Sequence, residues 1–201
     1  MSDQENMGRG RPRQFNIDDA LDQAMQVFRS QGYHSTSMSE LCQAMDLTVG
    51  SIYKAFGDKP TLFAQVFGRY LSLRNQALNA RLKDSENGFQ KIQILLQFYI
   101  DSVQDIEGKR GCLVVGSAIE IEVLNQQLAQ AVELALNKNL SNIKQFIEEG
   151  KQDGSIGKQL NTDTAASLLL CLVLGIRVAG KISSTSPNDS IISLMMGILK
   201  N

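Results

Sequence analysis

The chain has 201 residues, 43% hydrophobic and 20% charged, with a formal net charge of -1. That length buries a real core, as one large domain or two small ones, and the apolar fraction excludes disorder for most of the chain. A charge so close to zero carries no global nucleic-acid signature, so any basic signal must be local.

Three Cys, an odd and scattered set, argue against a disulfide framework and for a reducing, cytoplasmic setting. The start, MSDQENMGRGRPR, has no apolar stretch and does not read as a signal peptide. The longest apolar run, Ser167 to Ile176, is short for a bilayer and closes on Arg177, so no membrane partner is expected. One local basic cluster exists, Arg9, Arg11 and Arg13, among Gly and Pro that keep it extended. Such an arm suits a minor groove or a phosphate track. By itself it reads as a solubilising, disordered terminus.

From Asn16 the pattern is helical. Asn16 caps, Asp18, Asp19 and Asp22 complement the helix dipole, and Ile17, Ala20, Leu21, Ala24, Val27 and Phe28 recur at helical spacing as far as Gly32. A second helix is expected at Ser37 to Met45, where Ser37 and Glu40 form a capping box. After Asp46-Leu47-Thr48 a short third helix, Val49 to Phe56, points Ile52 and Phe56 inward. Gly57 ends it. Asp58 caps a long fourth helix to about Leu82, with Pro60 tolerated in its first turn.

Two short helices joined by a tight turn and braced by longer ones form the organisation of a helix-turn-helix DNA-binding module. The second helix needs small or polar residues outside, so that its backbone can approach a groove. Thr48, Gly50 and Ser51 meet that need, beside Val49, and Tyr53 and Lys54 can reach phosphate.

The remainder also reads as helices. These are Gly88 to Gln104, a break at Gly108 to Gly111, Cys112 to Val123, and Leu124 to about Gln152. Then come a helix capped by Thr162 or Asp163 and running to about Lys181, a Ser/Pro loop at Ser183 to Asn188, and Ser190 to Leu199. No strand alternation and no repeat is found. The fold class is therefore all-α. Its parts are a basic arm (1–14), a helix-turn-helix domain (15–60) and a helical ligand-binding and dimerisation domain (61–201).

The stretch from Gly8 to about Tyr70 resembles the tetracycline-repressor (TetR) family of bacterial transcription regulators. The matching residues are Ala24, Phe28, Gly32, Tyr33, Thr36 and Ser37, then Leu41, Ala44 and Met45, then Leu47, Gly50, Ser51, Ile52, Tyr53, Phe56, Lys59, Leu62 and Phe63. GRPRQF, SIYKAFGDKPTLF and RGCLVVGSA strengthen the likeness. Asp46 departs from it, standing where the family often has Gly, but Asp tolerates a left-handed turn. The resemblance implies a regulator that binds a palindromic operator as a homodimer. It implies DNA contacts from Arg9, Arg11, Arg13, Thr36, Ser37, Thr48, Val49, Gly50, Ser51, Tyr53, Lys54 and Lys59. Lys59 sits at a helix start, where a cation is disfavoured, and the family places a phosphate-binding Lys there.

His34 reads as a turn residue, Cys42 as core, and Cys112 and Cys171 as buried and inert, with redox sensing by Cys112 the lesser alternative. No metal spacing, cofactor motif or catalytic constellation is seen, so neither cofactor nor enzyme activity is expected. The reading is a repressor released from DNA by an unknown small molecule. Its rivals are a constitutive DNA binder, and a helical ligand-binding or catalytic protein with a coincidental helix-turn-helix. The apolar helices at Asp163 to Lys181 and Ile191 to Leu199 are expected to pair with their copies across a two-fold axis. A pocket is expected between Ile94 and Phe98 on one side and Cys112, Val115 and Ile119 on the other, with Glu120 and Arg177 as its unusual polar groups. Arg177 is expected to pair with Glu120 or Glu122 or to cap carbonyls. In the sharper alternative, Glu120 or Arg177 meets a ligand's opposite charge.

Overall fold

The computed structural model describes residues 15–182 and 189–200. The arm carrying Arg9, Arg11 and Arg13 and the loop expected at Ser183 to Asn188 lie outside the described residues. Among those described, every regular element is helical. The helices are α1 (Ile17–Gln31), α2 (Met38–Met45), α3 (Val49–Phe56), α4 (Lys59–Leu82), α5 (Gly88–Asp101), α6 (Asp105–Arg110), α7 (Leu113–Ile119), α8 (Gln126–Asp153), α9 (Thr162–Ile182) and α10 (Asp189–Gly197). Short 3-10 turns follow α7 at Ile121–Val123 and α10 at Ile198–Lys200.

Local chemistry sets the ends of the first four helices as expected. Asn16 accepts from the Asp18 N–H, and Gly32 closes α1 at φ 87°. Ser37 and Glu40 complete their capping box on α2, and Asp46 ends it in the left-handed region at φ 51°. Thr48 caps α3 and Asp58 caps α4. The acids of α1 have a second use. Arg69 of α4 pairs with Asp18 at 2.8 Å and with Asp22 at 2.7 Å, fastening α1 to α4.

Two apolar clusters hold the bundle. The first joins α1 to α3 and the first half of α4 to Leu113 and Val114 of α7 and to Leu128 and Val132 of α8. The second joins Leu78 of α4 to α5, the second half of α8, α9 and α10. Helices α4 and α8 therefore belong to both, and the first cluster runs across residue 60.

Several expectations are corrected. The helix begun at Gly88 stops at Asp101, and α6 occupies the place of the expected break. Gly108 is there for close approach, since a Cβ on it would stand 2.1 Å from the Val103 carbonyl oxygen. The chain breaks at Gly111, at φ 82°. Helix α7 ends at Ile119 rather than Val123. Asn161, not Thr162 or Asp163, caps α9, accepting from the Thr164 N–H at 2.9 Å. Helix α9 has 21 residues and a mean hydropathy of 1.9, so by length and composition alone it could cross a membrane. The shorter run counted in the sequence understated it. In the fold one side of α9 is buried in the bundle through Ala165, Ala166, Leu169, Val173 and Arg177. Cys171 lies on its other side and is exposed, not buried.

Gly88 marks the tightest helix crossing. A Cβ there would lie 2.1 Å from the Gly150 nitrogen of α8, a backbone atom that cannot rotate away. Gly88→Ala is expected to destabilise the protein by about 1–3 kcal/mol, the usual cost of overpacking. Urea unfolding checks this, and an unchanged midpoint would show that α5 and α8 separate freely.

Candidate nucleic-acid interface and adjoining cavities

Helix α3 presents its outer face as the sequence implies. Ile52 and Phe56 are buried, while Val49 and Tyr53 are 46% and 49% exposed. Gly50 and Lys54 are exposed and Ser51 is half-buried. A Cβ on Gly50 would meet nothing within 4 Å. The glycine is thus not required by internal packing, and it leaves the backbone bare toward solvent. The Thr48 hydroxyl accepts from the Ser51 N–H and lies 2.9 Å from the Ser51 hydroxyl, so both polar groups are held at the helix start.

The flanking residues differ in their availability. Ser37 is exposed at the start of α2. Thr36 is turned inward, and its hydroxyl donates to the Gly32 carbonyl at 2.6 Å. It braces the α1–α2 turn rather than offering a free hydroxyl to DNA. Lys59 opens α4 with its Nζ 4.6 Å from the Tyr33 ring centroid and 3.5 Å from the His34 carbonyl oxygen. Partial burial lowers its pKa, with Glu120 and Glu40 opposing. This cation is held beside the exposed turn residue His34.

The turn that carries Tyr33 is tied to the rest of the molecule. Its N–H donates to Glu120 Oε2 at 2.7 Å. Arg29 donates from Nε to the Gly111 carbonyl at 3.0 Å and from Nη1 to Glu107 at 3.0 Å. Arg177 of α9 donates to the same Gly111 carbonyl at 3.3 Å, and to the carbonyl and hydroxyl of Ser102. Lys181 reaches the Ser30 carbonyl at 3.3 Å. Arg177 therefore caps carbonyls, the second of its expected roles, and pairs with neither Glu120 nor Glu122. Glu120 is engaged with the α1–α2 turn.

A cleft of about 260 Å³ lies at this junction, between the end of α1, α7 and the end of α9. It brings together Cys112, Val115, Ile119, Glu120 and Arg177, five of the seven residues expected around a pocket. Ile119 is at its rim, 76% exposed. Ile94 and Phe98 are not part of it. Phe98 is buried under two guanidinium groups, Arg74 at 4.1 Å and Arg81 at 5.2 Å from its ring centroid. Ile94 is half-buried elsewhere on α5. Phe98 of the second stripe packs on α4 instead of facing α7.

Cys112 is a half-buried free thiol. The Tyr70 hydroxyl donates to its Sγ at 3.5 Å. Burial pushes its pKa up, but the charge of Arg177 and the hydrogen bonds it receives outweigh this and leave the pKa below that of an ordinary thiol. Among the described residues no group of His, Cys, Asp and Glu could hold a metal ion.

Residues 20–66 match the model for bacterial regulatory proteins of the tetR family, and residues 88–192 match the tetracyclin repressor-like C-terminal domain. The chain belongs to the TetR family. It is similar to the HTH-type transcriptional repressor ComR of Escherichia coli (strain K12), 24% identical over 177 residues that span 86% of this chain and 83% of that one. It is also similar to the HTH-type transcriptional repressor DhaR of a Mycobacterium species (strain GP1), 22% identical over 89% of each chain. A cysteine mutant of the TetR family regulator CifR, solved with 26-bp double-strand operator DNA, is 26% identical. It superposes with a TM-score of 0.79 over 94% of this chain and 98% of its own. A regulator from Agrobacterium tumefaciens shares the fold at a TM-score of 0.82, with 17% identity over 92% of this chain and 97% of its own. As a TetR family member, the protein is a DNA-binding transcriptional regulator.

Three residues of this TetR chain escaped the sequence reading, Arg29, Arg74 and Lys181, and Tyr33 entered it only through the family likeness. Arg74 carried a visible signal. Val66, Tyr70, Arg74 and Leu78 fall four apart on α4, so the arginine stands in an apolar stripe. Arg29 likewise follows Met25 at the buried spacing of α1. Nothing local marks Tyr33, whose role depends on a contact with a residue 87 positions away.

Glu107 provides a pH test of the junction. Burial pushes its pKa up, but hydrogen bonds and charge from Arg110 and Arg29 hold it below the usual carboxylate range. A lowered folded-state pKa contributes stability that is present above the unfolded value, about 4.3, and lost as pH falls through the folded one. Unfolding followed from about pH 6 to about pH 3 is expected to lose less stability on acidification in Glu107→Gln than in the parent. Parallel curves would remove Glu107 from the tie between α1 and α6.

Proposed function

We propose that this protein is a cytoplasmic, homodimeric repressor that a small molecule releases from a palindromic operator. The bare outer face of α3 carries the proposal. Thr48, Val49, Gly50 and Ser51 would face base edges in the major groove, while Ser37, Tyr53, Lys54 and Lys59 would grip phosphates. Arg9, Arg11 and Arg13 would follow the backbone or an adjacent minor groove. The regulators named above support this reading: CifR was solved on operator DNA, and ComR and DhaR are named as repressors.

The outer side of α9 supports the dimer. Leu168, Cys171, Gly175, Val178 and Ile182 are all exposed and fall on one stripe, and Ile191 and Leu194 extend the apolar surface on α10. A soluble chain covers such a stripe. A two-fold copy of the same helices would do so and would set two α3 helices about 34–36 Å apart, one turn of DNA. The ties among α1, α7 and α9 support regulation. A molecule in the cleft at Cys112, Val115, Ile119, Glu120 and Arg177 would favour one placement of the α1–α2 turn. It would lower DNA affinity by no more than its differential affinity for the two states.

Genome-wide footprinting and a gel shift test DNA recognition. Lys59→Ala is expected to weaken binding to all sequences and to flatten the salt dependence by about one unit. An unchanged affinity and slope would remove Lys59 from the interface. Sedimentation at micromolar concentration is expected to give a dimer, and Leu194→Glu a monomer with weakened operator binding. A monomeric parent would overturn the dimer. If no compound released the parent from DNA, the constitutive reading would replace the regulated one.

A further inference from the structure

Between α4, α5, α7, α8 and α9 lies a small cavity of about 40 Å³ with two arginines in its wall, Arg74 and Arg177. Arg177 is 3% exposed, and its Nε is buried without a hydrogen-bond partner. Arg74 Nη2 is buried without a partner as well. Neither guanidinium forms an ion pair among the described residues. Arginine stays protonated in proteins, so two positive charges face one enclosed space with no carboxylate to balance them. Burial of unpaired charge is costly, and a counter-charge is the remedy.

The arginines are positioned rather than loose. The Arg74 guanidinium stacks over the Phe98 ring at 4.1 Å and stands 5.6 Å from the Tyr99 ring centroid. Arg177 is anchored on the Ser102 and Gly111 carbonyls. Tyr70, Asn75, Tyr99, Cys112 and Asn139 complete the polar wall.

The cavity adjoins a second space. A groove of about 430 Å³ runs between α4 and α8, lined by Phe67, Leu71, Ala131 and Leu134 among others. The groove and the cavity share Leu71, Asn75 and Asn139. The groove is apolar and of the size of ordinary ligand sites. A charged end and an apolar channel therefore meet on one face of α4, the helix that begins at Lys59.

We propose that the effector is an amphipathic carboxylate, its head held by Arg74 and Arg177 and its apolar tail laid in the groove between α4 and α8. This rests on the ligand-responsive reading above but moves the ligand from the cleft to the adjoining cavity and groove; cleft and cavity share Cys112 and Arg177. Carboxylate is the head of choice because a guanidinium offers paired N–H donors that match two oxygens on one carbon. The cavity is also small for the three terminal oxygens of a phosphate. Phe98 acts here as a positioning residue behind Arg74. The cleft at Cys112 and Glu120 then serves as the joint through which a shift of Arg177 reaches the α1–α2 turn.

The probes are octanoate, butyrate, 1-octanol and inorganic phosphate, titrated calorimetrically into the full chain. Octanoate is expected to saturate at one site per chain. Butyrate is expected to bind more weakly because it leaves the groove empty, and octanol and phosphate to bind at least about tenfold more weakly than octanoate. Arg74→Gln is expected to weaken octanoate by about tenfold or more, the loss of one charge-assisted hydrogen bond. Leu134→Glu is expected to weaken octanoate more than butyrate. Circular dichroism checks that the variants fold, and the comparison of probes on the parent needs no variant.

Equal binding of octanol and octanoate, phosphate binding as tight as octanoate, or an unaffected folded Arg74→Gln would each overturn the proposal. So would the absence of saturable octanoate binding together with a Cys112 thiolate seen by ultraviolet absorbance at neutral pH, which would make the counter-charge internal. Absence of binding without that thiolate overturns it equally. Operator release is read separately. Octanoate that binds through Arg74 but leaves DNA bound would overturn regulation by this ligand and keep the site. Release by some other compound, with no carboxylate binding, would keep the regulated reading and remove the site.

Discussion

The main-chain carbonyl of Gly111 accepts hydrogen bonds from two arginines that approach it from different helices, Arg29 of α1 and Arg177 of α9. A buried carbonyl has two lone pairs, and here each is directed at a guanidinium. This atom is the hinge point of the structure. Gly111 can supply it because its φ of 82° turns the chain sharply between α6 and α7. Helix α1 belongs to the DNA-binding module and α9 to the surface proposed for pairing. The two therefore cannot shift relative to each other without breaking a charge-assisted bond.

Around that point the remaining ties are arranged in parallel. Glu120 holds the Tyr33 N–H, Lys181 holds the Ser30 carbonyl, and Glu107 holds Arg29. All three reach the last turn of α1 or the turn after it. The first apolar cluster crosses from α1 and α4 into α7 and α8 beneath them. The DNA-binding module is thus not a bead on a linker. Its orientation is a property of the bundle, which is the condition under which occupancy of a distant cavity can be felt at α3.

Helix α4 carries the complementary constraint. It begins at Lys59 beside Tyr33, is clamped to α1 by Arg69, and passes through both apolar clusters. Arg74 sits where the two clusters meet. Its guanidinium lies over the Phe98 ring there, with Nη2 buried and unpartnered. Under the proposed regulation α4 would be the direct route to DNA, and the Gly111 junction the one that limits where α1 can go.

Much of this was legible in the residues themselves. Helix ends at Asn16, Ser37, Thr48, Asp58 and Gly32 are written in capping chemistry, which acts over three or four residues. The exposed face of α3 follows from one helical turn of pattern, with Ile52 and Phe56 inward and Tyr53 and Lys54 outward. The grouping of Cys112, Val115, Ile119, Glu120 and Arg177 was also accessible, because four of the five lie within nine residues. What only the tertiary structure decided is the partnership of groups far apart in the chain. Gly108 served contact with Gly180 of α9 rather than a break, Phe98 faced Arg74 rather than Cys112, and Arg177 met carbonyls rather than Glu120 or Glu122. The physical reason is common to all three. A local pattern says which side of a helix is apolar. Which neighbour that side meets is set by helix crossing and by close approach at Gly88, Gly108 and Gly180, and neither is encoded within a single turn.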